Sequence, residues 1–136
     1  MKLFSSAAAV LGLAAILIPS APAIGHHSFA AEYDRSKPVT LSGPVTKVEW
    51  MNPHVFFYMD VKDADGKVAN WAIELANPAS LYRRGWKKEA LRIGGTAVVQ
   101  GSLAKDGSHL ANASTVTLDG KRLFAGSSGD DNYDGK

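Results

Sequence analysis

Between Val45 and Val61 the chain spells a strand, a tight corner and a second strand, and few folds accommodate such a run. Val55, Phe57, Met59 and Val61 alternate with His54, Phe56, Tyr58 and Asp60, the period of two expected of a strand buried on one face. Ahead of it Val48 and Trp50 alternate with Lys47 and Glu49. Asn52-Pro53 turns the corner, because proline fixes its own φ and pushes the preceding residue out of the helical region. Trp50, Asn52 and His54 therefore belong to one corner, where any chemistry is expected.

The remaining segments extend a β architecture outward from this pair. Val39 and Leu41 open the first strand, and Gly43-Pro44 is expected to interrupt it. The inward parity of Val39, Leu41 and Val45 differs from that of Val48 and Trp50, which predicts a one-residue bulge. Asp65-Gly66 marks a hairpin tip, followed by a strand with Ala69, Trp71, Ile73 and Leu75 on one face and Val68, Asn70, Ala72 and Glu74 on the other. Asn77-Pro78 reads as the cap and first position of a short helix over 79–84, and Gly85 stands where a left-handed residue ends it.

Thr96 to Leu103 follows as a strand carrying Ala97 and Val99 on one side. The next strand is expected to show Leu110, Asn112, Ser114, Val116 and Leu118 on one face, and Arg122-Leu123-Phe124 forms a last short strand. The order β-β-β-α-β-β predicts an all-β fold with one short helix: a five- to six-stranded OB-like Greek-key barrel. A small β-sandwich or another open barrel is the competing architecture.

Lys2, an apolar run from Ala7 to Ile18 and the small residues after Ser20 have the layout of a secretory signal peptide. The run is shorter than the roughly 20 residues a spanning helix needs. Cleavage after Ala23 or after Gly25 satisfies the small-residue rule, so residues 1–25 are expected to leave the mature chain. An N-terminal arm (26–38), a barrel domain (39–125) and a disordered polar tail (126–136) then make one domain's worth of sequence. The chain has no cysteine, which removes disulfides, thiol chemistry and a lipidated cysteine anchor. Its formal charge of +2 loses only Lys2 with the leader. A balance so near neutral gives no electrostatic case for nucleic acid or for an anionic membrane.

Four segments occur in order: His26-His27-Ser28-Phe29, Glu49-Trp50-Met51-Asn52-Pro53-His54, Trp71-Ala72-Ile73-Glu74 and Arg83-Arg84-Gly85-Trp86. Together they resemble a family of small exported bacterial proteins, a domain of unknown function whose mature form begins near the paired histidines. The resemblance implies export and a single domain, periplasmic in a two-membrane envelope. It supplies no activity and no catalytic residue.

The residues that could carry chemistry start with His26 and His27 at the expected new terminus. If Gly25 ends the leader, the α-amine and imidazole of His26 form one chelate. If Ala23 ends it, Ile24-Gly25-His26 offers an amine, two amides and an imidazole in a square-planar set suited to Cu(II) or Ni(II). His54 is the natural third imidazole, and copper at His26, His27 and His54 is the sharpest expectation. Glu49, Asn52 and Glu74 are candidates to orient its ring. The plainer account makes His54 a brace for the corner and the paired histidines part of a packed arm. His109, after a turn, is expected on the surface.

Trp50, Phe56, Tyr58, Trp71 and Trp86 make a second constellation, with Phe56 and Tyr58 expected on the outer face of the barrel as a stacking platform. Arg83, Arg84, Lys87, Lys88 and Arg92 form a basic cluster offset by Glu89, more simply a solvated helix face. These features support a metal-free periplasmic docking module as the alternative to copper binding. Nothing resembles a nucleophile elbow or a phosphate-cradling loop, so a binding protein is expected rather than an enzyme. A copper-dependent oxidoreductase is a third and weaker reading.

Overall fold

The computed structural model describes residues 29–126. After a helical turn, α1 (Phe29–Glu32), come β1 (Tyr33–Glu49), β2 (Phe56–Lys62), β3 (Val68–Glu74), α2 (Pro78–Arg83), β4 (Thr96–Ala104), β5 (Leu110–Leu118) and β6 (Lys121–Phe124). A single 3-10 turn, Lys88–Ala90, lies between α2 and β4. The sheet runs β3-β2-β1-β4-β5-β6, and a parallel contact of Ala72–Glu74 with Leu110–Asn112 joins β3 to β5. That pairing closes the sheet on itself. A β1-β2-β3 meander, a helix between β3 and β4 and closure through β5 constitute an OB-like Greek-key barrel.

β1 makes the barrel possible because it is long enough to serve two neighbours. It pairs with β4 from Tyr33 to Pro44 and with β2 from Val45 to Glu49. The extra residue is Thr46, between the pairs Val45–Met59 and Lys47–Tyr58, and it produces the anticipated change of parity. The strand starts at Tyr33 and not at Val39, with a further register shift between Asp34 and Pro38. Gly43-Pro44 does not interrupt it, since Gly43 pairs with Ala97 and Pro44 with Thr96. Gly43 is required for another reason: a Cβ there would lie 1.8 Å from the Asp60 carbonyl oxygen. Only a bare backbone lets β1 pass so close to β2.

β5 departs from the expected alternation. Ser114 is bulged between the pairs Gln100–Thr115 and Gly101–Ala113, so the inward set is Ala111 and Ala113 before it and Val116 and Leu118 after it. Asn112 consequently lies on the outer face, beside Glu74 in the closing contact. The core between the strands holds Val45, Val55, Phe57, Met59, Ile73, Leu75, Val99 and Val116, each at most 1% exposed.

Helix α2 plugs one end through Leu81, and Trp86 follows it into the core with its indole N–H donating to the Phe124 carbonyl at 2.7 Å. Asn77 caps α2 by accepting from the Ser80 N–H at 2.8 Å, and Gly85 takes φ 85° at the position after the C-cap. Among the described residues no helix is long and apolar enough to cross a membrane.

Candidate functional site

The site is organised by a carboxylate on the outer face. Val55, just before β2, and Phe57 and Met59 within it face inward, so His54, Phe56 and Tyr58 point outward. The registers Glu49–Phe56, Phe56–Glu74 and Glu74–Asn112 lay these four side chains in one row across β1, β2, β3 and β5. An outward carboxylate would ordinarily be wet. Glu74 is instead 5% exposed, because groups from two other parts of the chain close over it.

Tyr33, the first residue of β1, donates its hydroxyl to Glu74 Oε2, and His54 places Nδ1 against Glu74 Oε1. The phenol is itself buried at 3% exposure. Burial first, and the bond to Glu74 second, push its pKa far above the ordinary tyrosine value. Both carboxylate oxygens are thus engaged, as buried polar atoms require. For a neutral imidazole, a carboxylate at Nδ1 selects the tautomer protonated there, with the lone pair on Nε2. His54 keeps 23% of its side chain exposed.

Of the three residues expected to orient His54, Glu74 does so. Glu49 is occupied by the Lys47 ammonium and by the Tyr58 hydroxyl, which donates at 3.0 Å. Those bonds hold its carboxyl below the usual range, the Lys47 contribution being the larger. Glu49 and Glu74 are separated by Phe56 and do not form a pair. Asn52 is exposed in the corner, where the Asn52–Pro53 peptide is cis. His26 and His27 lie outside the described residues, among which no three His, Cys, Asp or Glu side chains gather into a metal cluster.

The aromatic residues do not form one platform. Phe56 and Tyr58 share the outer face, half-buried, with the Lys47 ammonium 5.0 Å from the Tyr58 ring centre. Trp50 turns to the inner side and meets Tyr82 and Trp86 at centroid distances of 5.5 and 6.5 Å. Its buried Nε1 has no hydrogen-bond partner among the described residues. Trp71 stacks on the exposed His109 at 4.9 Å. The role of Tyr33 was not legible as site chemistry: its only sequence signal was an aromatic ring in a polar segment.

Solved structures that are similar include TiaS in complex with an isoleucine transfer RNA and ATP, at 23% identity and TM-score 0.46, over 62% of this chain and 18% of that one. Another is the mitochondrial single-stranded DNA binding protein Rim1 of S. cerevisiae, at 13% identity and TM-score 0.46, over 60% and 92%. The N-terminal domain of PriB from Thermoanaerobacter tencongensis is similar at 17% identity and TM-score 0.37, over 61% and 96%. The chain thus spans less than a fifth of the first of these. No curated protein matches it. A family model, described as a family of unknown function (DUF6152), matches residues 14–113, which is most of the chain and reaches into β5. The protein belongs to the DUF6152 family.

Proposed function

We propose that this is an exported, periplasmic binding protein that holds one Cu(II) ion through His54 Nε2 and the mature N-terminal residues His26 and His27. The observation that carries this reading is the contact of the buried Glu74 carboxylate with His54 Nδ1. Metal-binding histidines characteristically rest their second nitrogen on such an acceptor, which fixes the ring and raises its basicity. The tether supports it as well. Tyr33 meets Glu74 directly, and His27 precedes Tyr33 by six residues, a span of about 20 Å at most. Nitrogen donors of this type suit Cu(II). The protein's role is to bind the ion; an oxidoreductase reading would need reductant-dependent turnover.

The test is Cu(II) titration of the secreted chain, its terminus fixed by mass spectrometry, against His54→Ala. Binding at one equivalent that weakens in the variant and is lost when a residue is appended before the native terminus supports the proposal. Equal, weak binding in both chains overturns it.

A second reading, docking of a protein without metal, has one observation on its side. Met51 and Tyr82 are large apolar side chains 57% and 52% exposed, with Tyr82 against Trp50. It gains ground only if the copper titration fails.

A further inference from the structure

The fold sorts the basic cluster of residues 83–92 into groups with different tasks. Its arginines are engaged by the protein itself. Arg83 donates to the Ser80 hydroxyl, Arg84 bonds the Gly126 carbonyl and covers the Phe124 ring, and Arg92 pairs with Asp119 at 2.6 Å. Lys87 is different: its ammonium makes no hydrogen bond or ion pair among the described residues, and neither does that of Lys121 in β6. Both lysines line a cleft of about 450 Å³, together with Arg92, Asp119 and Glu89. Its floor is apolar, with Leu118 and Leu123 reaching it from β5 and β6 while each remains 8% exposed.

We propose that this cleft binds a small amphipathic monoanion, a single carboxylate carried on a short apolar chain or ring. Its volume falls within the range of small-molecule sites. Three cations against two carboxylates leave one positive charge, and the Arg92–Asp119 pair cancels internally. The carboxylate meets Lys87 and Lys121, and the apolar body covers Leu118 and Leu123. Glu89 disfavours a second negative charge on the ligand. The inference is independent of copper, since none of these residues belongs to the Tyr33–Glu74–His54 cluster.

The experiment is a titration of the ¹⁵N-labelled mature chain with octanoate, followed by backbone amide shifts. Octyltrimethylammonium and acetate serve as charge and chain controls. Saturable shifts at Gly85 and along 118–123 are expected with octanoate, absent with the cation and weak with acetate. The exposed pair Lys87→Glu and Lys121→Glu, with an unchanged spectrum outside the cleft, should weaken octanoate by about tenfold or more. His54→Ala should leave it unaltered. Equal shifts with octyltrimethylammonium, survival of binding in the double variant, or no saturable shift would each overturn the proposal.

Discussion

Tyr33 and Glu74, forty-one positions apart, meet through a hydroxyl that donates to a buried carboxylate oxygen. The bond ties the first residue of β1 to the end of β3 and closes the cover over the carboxylate that holds His54. It makes the beginning of the barrel part of the site.

Removing the hydroxyl leaves one Glu74 oxygen buried without its donor. Tyr33→Phe should therefore destabilise the fold by about 1–3 kcal/mol, the cost of an unsatisfied buried polar group. Urea unfolding of both chains at neutral pH measures it. An unchanged midpoint would mean that water replaces the phenol at no cost.

The same phenol predicts an alkaline limit. Its folded pKa lies above the ordinary value of 10.0. Below that pH, folded and unfolded chains both keep the proton and the stabilisation is complete. Above it the unfolded chain releases the proton first, so stability falls as pH rises. Tyr58, raised in the same direction by burial and then by its bond to Glu49, adds to the slope. Urea midpoints taken from about pH 9 to 11 should drop steeply in the wild type and less so in Tyr33→Phe.

If Glu74 orients His54 for a metal, Glu74→Gln should weaken Cu(II) by about 10–100-fold with the histidines intact. Competition titration against a chelator gives the ratio, and circular dichroism checks the fold. Full copper affinity in a folded Glu74→Gln chain would leave the carboxylate a purely structural group.

Gly43 and Asn77 probe the scaffold. Gly43→Ala forces β1 away from the Asp60 carbonyl and should cost about 1–3 kcal/mol or more. Asn77→Ala removes the acceptor for the Ser80 N–H at the start of α2 and should cost about 1 kcal/mol. In a domain of this size that is a fall in Tm of roughly 4–8 °C. Thermal unfolding distinguishes the two, the glycine being the more damaging.

Local chemistry made much of the barrel readable in the amino-acid sequence. Alternation placed Val55, Phe57 and Met59 in the core, the phase change after Val45 announced the bulge, and Asn77 and Gly85 bounded α2. Each of these is a preference of neighbouring residues, set by side-chain period or backbone freedom. The alternation of β5 misled at Ser114 because a bulge there follows from pairing with β4, not from β5 alone. Tyr33 was out of reach for the same reason, whereas Glu74 was already a candidate partner of His54 and only its burial was unforeseen. Strand parity puts Glu74 outside, the β2–β3 register sets it beside His54, and only closure of the sheet brings Tyr33 over it. A carboxylate becomes buried and paired when distant segments meet, and those meetings are decided by tertiary structure.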